Sequence, residues 1–361
     1  MVETAPDCRK RMTSLPLAPN NRLPNIESPP RTFAMNKSLL IINTNPLLNL
    51  VHCGRIAPGS INRVPSLEMH AEGKGVNVAR VLARLGHPVI ITGFAGGHSG
   101  AWLREIIRAE AMEDAFLDVA APVRVGFMAS CSEDNHPTTV LPNGFPVTPE
   151  ECARLLERIE GWLPRVALVI ISGSVPDPIA ESLYAEILRL SHRAGIPCWL
   201  DAHGPALRKA LAGAFPPDLA KPNREEYPQS QDWEKIPELH VTDGDRPTLV
   251  RLRDQGHWRV TPPPIQQVNP VGCGDCYLAG LVHGWSQEWP LEQRLRFASA
   301  AGAANALRRD VAMISRGEIE SLLDSVWVEH LRDDNSRNHH GPGPVQDSTR
   351  HHEPHQAAVM T

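Results

Sequence analysis

A glycine-rich turn runs directly into an apolar helix at Asn269-Pro270-Val271-Gly272-Cys273-Gly274-Asp275-Cys276. The backbone N–H groups of Gly272, Cys273 and Gly274 lack partners within such a helix start, so they can converge on one anion. Asp275, in the first turn, can accept a proton from an attacking hydroxyl group. The stretch therefore predicts a phosphoryl-transfer site, although a plain helix cap would explain the same residues equally well.

The two thiols of this stretch allow a third interpretation. Cys273 and Cys276 form a Cys-x-x-Cys pair at a helix start, where thiol pKa values fall. No second pair of thiols lies at zinc-ligand spacing, and zinc or redox chemistry would leave the glycines unexplained. The seven cysteines are an odd number and scattered, which favours reduced thiols and a cytoplasmic protein.

A second glycine-rich turn opens a helix at Gly73-Lys74-Gly75-Val76-Asn77. Lys74 can bind an anion, while the Asn77 side chain and the Gly73 backbone can hydrogen-bond hydroxyl groups. The turn is not a Walker loop, because no Gly-Lys-Ser/Thr follows a four-residue gap. An ordinary loop with a solvated lysine is the alternative.

Apolar strands alternate with amphipathic helices through the middle of the chain. Strands are predicted at Lys37–Ile42, Val89–Thr92, Val166–Ile171 and Ile196–Leu200, and helices around residues 78–85, 155–163 and 183–188. This alternation predicts an α/β fold with a mostly parallel sheet covered on both faces.

Two turn-rich, β-like stretches, within about residues 47–70 and 123–142, interrupt the alternation. They predict a small sheet that projects from the main domain as a lid. Residues 1–36 and the histidine-containing residues 330–361 lack apolar periodicity, which predicts disordered tails on either side of one domain at 37–329.

Composition excludes several classes of partner. The 361 residues are 42% hydrophobic, enough for a sizeable core, and the formal charge of −5 gives no global reason to expect nucleic acid or an anionic membrane. The proline-broken N-terminus lacks the apolar core of a signal peptide, and no apolar run is long enough to span a bilayer. We therefore expect a cytoplasmic protein that binds anions locally.

The two glycine-rich helix starts and their flanks together resemble the ribokinase-like (PfkB-type) carbohydrate kinase family, in its 1-phosphofructokinase and tagatose-6-phosphate kinase branch. The resemblance extends from about residue 38 to 328. Its segments follow the family's order: Asn45–Asn49, Gly73–Arg80, Gly93–Gly97, Ser172–Pro176, Lys221–Glu226, Gly272–Asp275 and Ala303–Ala306.

The resemblance implies a Rossmann-like three-layer α/β/α domain whose β lid serves as a homodimer interface. It makes Asp275 the catalytic base, and the amides of Gly272, Cys273 and Gly274 the anion hole. On the sugar side it implies contacts from Asn49, Gly73, Lys74, Asn77 and Arg124, the last with the phosphate that the substrate already carries.

On the nucleotide side the resemblance implies ATP and Mg²⁺. Asn223 and Glu226 match an Asn-x-x-Glu motif that positions the metal through water, and a salt-bridged surface turn is the alternative. Further nucleotide contacts are implied for Lys221, for the turn containing Thr242 and Gly244, and for Asn305 near the base.

The chain departs from the family pattern at four places. Asn49 replaces an acid that holds sugar hydroxyls, Glu72 replaces the first glycine of Gly-Gly-Lys-Gly, and Gly126 replaces an amide. If the backbone at Glu72 needed positive φ, the loop would have to differ. The segment after Asn223 is too short for the usual helix and strand, which puts ATP affinity in question.

The sequence thus predicts a kinase that transfers the γ-phosphoryl group of ATP to a ketohexose phosphate. Fructose 1-phosphate is the first choice, followed by fructose 6-phosphate and tagatose 6-phosphate. A kinase of an unphosphorylated sugar or nucleoside would need neither Lys74 nor Arg124. A sugar-phosphate-binding protein without efficient catalysis is the alternative that the departures favour.

Overall fold

The computed structural model describes residues 37–131, 136–229 and 232–331. Within them, the strands are β1 (Ser38–Ile42), β2 (Leu47–Cys53), β3 (Glu68–Glu72), β4 (Val89–Thr92), β5 (Glu113–Asp114), β6 (Arg124–Ser130), β7 (Thr138–Val140), β8 (Val166–Ser172), β9 (Cys198–Asp201), β10 (Leu219–Ala220), β11 (Glu238–Asp243), β12 (Arg246–Leu252), β13 (Gly256–Thr261) and β14 (Trp327–Leu331). The α-helices are α1 (Lys74–Arg84), α2 (Gly97–Ala109), α3 (Pro149–Trp162), α4 (Leu183–Ala194), α5 (Gly204–Ala212), α6 (Cys273–Ser286), α7 (Leu291–Ala306) and α8 (Arg316–Glu320).

The large sheet has the strand order β14-β13-β12-β11-β10-β9-β8-β1-β4-β5. Neighbouring strands from β5 to β11 run parallel. The three remaining strands, β12 to β14, extend one edge in antiparallel fashion. The carboxyl ends of the parallel strands therefore meet at one edge, where α/β folds bind their ligands.

Helices cover both faces of this sheet. Along β1, Leu39 and Ile41 point into a core formed with α1, α2, α6, α7 and α8. Leu40 and Ile42 point into a second core, formed with α3, α4 and α5. The predicted three-layer α/β/α architecture is confirmed, as are the predicted strands and helices, to within a few residues at their ends.

The predicted lid is the second sheet, with strand order β3-β2-β6-β7. Arg80 of α1 connects it to the main domain. Its buried guanidinium donates to Ala71 O in β3 at 2.6 Å and to both carboxylate oxygens of Glu110, at 2.6 and 2.9 Å. The charge-assisted pair therefore ties β3 and α1 to Glu110 at the end of α2.

The connection between β10 and β11 is short. Its described residues form two single-turn 3₁₀ helices, Tyr227–Gln229 and Asp232–Lys235, and no α-helix. At the carboxyl end, β14 continues to Leu331, two residues into the predicted tail. The rest of that tail and the predicted tail at 1–36 lie outside the described residues.

None of the helices in the described ranges combines the length and the apolar character that a membrane span requires.

Helices α6 and α7 pack too closely to accept a side chain at Gly280. A Cβ there would lie 2.7 Å from Ala298 Cα, a backbone atom that cannot rotate away. We therefore expect Gly280→Ala to destabilise the protein by roughly 1–3 kcal/mol, because α7 must shift. Urea denaturation measures the change.

Gly161, inside α3, provides the matched control, since a Cβ at this position would meet nothing within 4 Å. Gly161→Ala should stabilise the protein by up to about 1 kcal/mol, because alanine is the better helix former. Equal effects of the two substitutions would contradict the close packing of α6 on α7.

Candidate active site

Helix α6 begins where the sequence predicts an anion-binding turn. Gly272 caps it with φ of 82°, a left-handed conformation that favours glycine. The N–H of Cys273 donates to Pro270 O at 3.3 Å, whereas the amides of Gly272 and Gly274 have no acceptor among the described residues. Two of the three predicted amides are thus available to an anion, and the third is engaged in a turn.

Asp275 lies in the first turn of α6 and is only 5% exposed. Asn77 Nδ2 donates to Asp275 Oδ2 at 2.8 Å, so the two predicted helix starts meet at this carboxylate. Burial and the negative charge of Asp201 raise the pKa of Asp275 to about 7, and the hydrogen bond from Asn77 and the ammonium groups of Lys74 and Lys221 oppose this rise. A carboxylate with such a pKa can exchange a proton near neutral pH.

Two lysines share a fully buried carboxylate at the end of β9. Lys74 Nζ lies 3.2 Å from Asp201 Oδ1 and 3.0 Å from Glu226 Oε1, and Lys221 Nζ lies 3.1 Å from Asp201 Oδ2. Burial alone would raise the pKa of Asp201, but the two lysines hold it below its ordinary value. Burial would likewise lower the pKa of Lys74, which the surrounding carboxylates raise instead. The predicted anion-binding lysine therefore contacts acids of the protein.

The sequence interpretation missed Asp201. A signal was present, because an acid closes the apolar strand Cys198–Asp201 at the edge where parallel strands end. The predicted strand stopped one residue earlier, at Leu200. The acid alone could not be distinguished from a helix-capping residue in the following loop.

The predicted nucleotide-side residues lie together. Asn223 Oδ1 accepts from the Glu226 N–H at 2.7 Å, and Glu226 Oε2 accepts from the Asn223 N–H at 2.9 Å. Thr242 pairs with this turn through the bond from its N–H to Pro222 O at 3.1 Å, and Gly244 follows in an exposed turn. Lys221 brings these residues next to α6: its Nζ lies 3.2 Å from the place where a Cβ on Gly274 would be.

Among the described residues, no group of three or more His, Cys, Asp or Glu side chains is placed to hold a metal ion. Mg²⁺ commonly takes only one or two carboxylates and completes its octahedron with water and substrate phosphates. Of the predicted pair, Glu226 contributes one buried carboxylate, and Asn223 contributes an amide oxygen that accepts from the N–H groups of Glu225 and Glu226. The residues present therefore fit a water-mediated ion rather than one enclosed by protein ligands.

The turn at Gly73, predicted to bind sugar, rests on Asn43, which the sequence interpretation did not single out. Asn43 Oδ1 accepts from the Gly75 N–H at 2.9 Å. A Cβ on Gly75 would lie 2.6 Å from Asn43 Cβ, so only glycine fits. The positive φ of this turn, 126°, belongs to Gly73, while Glu72 lies in β3. The replacement of glycine by Glu72 therefore requires no change in the loop.

Arg124 begins β6 and is half-buried, which lowers its pKa. It donates to four backbone carbonyls: Pro142 O at 2.7 Å, Asn45 O at 3.1 Å, Pro46 O at 3.3 Å and Asn143 O at 3.5 Å. The predicted phosphate-binding arginine thus ties the segment before β2 to the segment after β7.

Asn305 is fully buried in α7. Its Oδ1 accepts from the Ala312 N–H at 2.7 Å, and its Nδ2 donates to Val271 O at 2.8 Å. Both ends of the amide are engaged, so the structure places Asn305 behind the turn that leads into α6. The resemblance places Asn305 near the nucleotide base, and its amide could contact the base only if these bonds broke.

The comparisons with known proteins agree with this geometry. A model of pfkB family carbohydrate kinases matches residues 47–315. A possible 1-phosphofructokinase from Thermotoga maritima is 23% identical with a TM-score of 0.75, over 82% of this chain and 100% of its own. Phosphofructokinase-2 from Escherichia coli in complex with potassium is 23% identical with a TM-score of 0.71, over 80% and 98%. A carbohydrate kinase from Agrobacterium tumefaciens is 18% identical with a TM-score of 0.62, over 81% and 100%. This chain therefore belongs to the pfkB family of carbohydrate kinases, which are phosphotransferases with an alcohol group as acceptor.

Proposed function

We propose that this protein transfers the γ-phosphoryl group of ATP to a hydroxyl group of a ketohexose phosphate, with fructose 1-phosphate the first choice. Fructose 6-phosphate and tagatose 6-phosphate follow. The observation that carries the proposal is the buried carboxylate of Asp275 beside the available amides of Gly272 and Gly274, with Lys221 next to that turn.

Asp275 is the base of the proposed reaction. Its carboxylate accepts the proton of the attacking hydroxyl while Asn77 holds one of its oxygens in place. Because the pKa of Asp275 is about 7, it is substantially ionised at neutral pH and can still hold the transferred proton. The amides of Gly272 and Gly274 then stabilise negative charge that develops on the transferring group.

The proposed nucleotide site lies along Lys221, Asn223, Glu226, Thr242 and Gly244. The lysine neutralises phosphate charge, and Asn223 with Glu226 would position Mg²⁺ through water. The ion supplies charge neutralisation at the phosphates when it is bound. Cys273 extends the anion site if its turn bond to Pro270 O gives way, and Asn305 supports the turn from behind.

The proposed sugar site lies between the lid and α1. Gly73 and Asn77 contribute hydrogen bonds to hydroxyl groups from the second turn, and Asn49 contributes from β2. Arg124 supplies positive charge, and Lys74 adds to it when a phosphate draws its ammonium group from Asp201 and Glu226. This favours a phosphorylated substrate over a free sugar or nucleoside. Arg124 can exchange backbone carbonyls for a phosphate because a guanidinium has five donors.

The lid also suggests how two copies assemble. A row of apolar side chains crosses its outer face: Met69, Leu50, Phe127 and Val140 are direct neighbours on adjacent strands. Met69 is 44% and Val140 63% exposed. An exposed apolar row on a small sheet is typical of a protein interface, so we propose a homodimer through the lid. A tetrameric form of Escherichia coli phosphofructokinase-2 provides an assembled example of the fold.

Replacing the base tests the proposed chemistry. Asp275→Asn should lower kcat with fructose 1-phosphate and MgATP by about 10²–10⁴-fold, because no carboxylate then accepts the proton. In the wild type, kcat/KM should fall about tenfold per pH unit below about 7, where Asp275 becomes protonated. A coupled ADP-release assay measures both.

Asp254→Asn, in an exposed turn, is the control and should leave kcat unchanged. Turnover that survives Asp275→Asn would remove Asp275 as the base. Wild-type protein that turns over none of the three ketohexose phosphates, yet is stabilised by one of them, would support the non-catalytic binding protein instead.

Removing the arginine tests the sugar-phosphate site. Arg124→Ala should raise KM for the sugar phosphate at least about tenfold and leave KM for ATP nearly unchanged, because a charge-assisted contact to phosphate is lost. The melting temperature of the variant, measured alongside, reports the loss of the carbonyl contacts. An equal rise in both KM values would contradict the assignment.

Charged residues on the lid test the dimer. The wild type should have twice the monomer mass by light scattering at micromolar concentration, and Met69→Lys or Val140→Lys should yield monomers. Leu249→Lys on the main sheet, 42% exposed in the wild type, is the matched control and should remain dimeric. A wild type that is monomeric at every concentration tested would rule out this interface.

A further inference from the structure

Three of the four departures from the family pattern meet at one place in the lid. Asn49 in β2 is the direct neighbour of Gly126 in β6, and Asn49 Nδ2 donates to Glu72 Oε2 at 2.9 Å. A Cβ on Gly126 would lie 3.0 Å from Asn49 Oδ1, so a longer side chain at 126 would displace the amide. The bare glycine, the amide and the acid therefore form one arrangement.

This arrangement presents hydrogen-bond acceptors. An ionised carboxylate can only accept, so it must face the NH₂ group of Asn49 and leave Asn49 Oδ1 on the other side. That oxygen is buried and has no hydrogen-bond partner among the described residues. Burial also raises the pKa of Glu72, against the opposing effects of Asn49 and Arg80. Such polar groups cost stability unless a ligand satisfies them.

The acid lines a cavity between the lid, the end of α7 and α8. The cavity has a volume of about 490 Å³, a size that suits a small-molecule ligand, and both Glu72 and Val311 line it. Val311 packs against Gly272, the cap of the helix that carries Asp275. The wall opposite the lid carries Arg308, Arg309 and Asp310. A ligand in this cavity can therefore touch Glu72 on the lid side and these charged residues on the other side.

We propose that Glu72 and Asn49 act as one unit that binds hydroxyl groups of the sugar. The carboxylate that contacts the sugar then belongs to β3 rather than to β2. The unit accepts from two hydroxyl donors, one at Glu72 and one at Asn49 Oδ1. Because phosphate is an anion that offers few donors, the unit repels it. The substrate therefore binds with its hydroxyls toward Glu72 and its existing phosphate away from it.

This inference rests on the proposed sugar-phosphate substrate, and direct binding tests it separately from catalysis. Calorimetry with fructose 1-phosphate, fructose 6-phosphate and tagatose 6-phosphate, without ATP, should give a Kd at least about tenfold higher for Glu72→Gln than for the wild type. The wild-type affinity should also weaken as the pH is lowered and Glu72 becomes protonated. Glu72→Gln should lack this part of the pH profile. A structural role alone would not produce that difference.

Glu68→Gln is the matched control, since Glu68 lies on the same strand and lines the same cavity but is exposed. Its Kd should stay within about twofold of the wild type. Glu72→Gln removes a buried charge, so the variant should fold. If it does not fold, Asn49→Ala must raise the Kd for the same ligand at least about threefold. A Kd for Glu72→Gln within twofold of the wild type overturns the inference.

The failures of the two proposals are distinguishable. Binding of a ketohexose phosphate that weakens in Glu72→Gln, without turnover in the wild type, supports the hydroxyl-binding unit and refutes the kinase reaction. Turnover in the wild type with unchanged binding in Glu72→Gln supports the kinase reaction and refutes the hydroxyl-binding unit. Absence of binding by all three compounds to the wild type overturns both.

Discussion

The ion pairs around Asp201 are the constraint on which the site depends. Moving a carboxylate from water into the interior costs several kcal/mol, and only close, well-placed cations offset that cost. Here the cations are Lys74 at the start of α1 and Lys221 just after β10. The fully buried acid thus ties the turn at Gly73, predicted to bind sugar, to the turn after β10, predicted to bind nucleotide. Lys74 also contacts Glu226, so Asp201 and Glu226 lie on either side of one ammonium group.

The same network controls the proton affinity of Asp275. The charge of Asp201 raises the pKa of Asp275 and the two lysines lower it, so the balance depends on what the lysines contact. A phosphate that draws Lys74 or Lys221 away from Asp201 leaves the negative charges of Asp201 and Asp275 with less positive charge beside them. A divalent cation bound with the phosphates would restore the positive charge near these carboxylates. The electrostatics of the described residues therefore give a physical reason for nucleotide and metal to bind together.

The sequence predicted the layers of the fold better than the contacts within the site. Periodicity located β1, β4, β8 and β9 because buried parallel strands are continuous apolar runs. It could not locate Asp201, since one acid after a strand resembles any cap. Nor could it pair Asn49 with Glu72, which are 23 residues apart and meet only through the register of β2 and β3. The three antiparallel strands at the edge were also not predicted, because their patterns are short and half-exposed.

The departures from the family pattern look like losses when they are read one at a time, and the structure changes their meaning. Asn49 removes a charge from β2, but Glu72 places a carboxylate within hydrogen-bonding distance of it. Gly126 removes a side chain at the position that the new pair occupies. A buried acid without a directly bonded cation is unfavourable for stability, so a site that had only decayed would gain by losing it. The retained cost is the argument from stability for the proposed hydroxyl-binding role of Glu72 and Asn49.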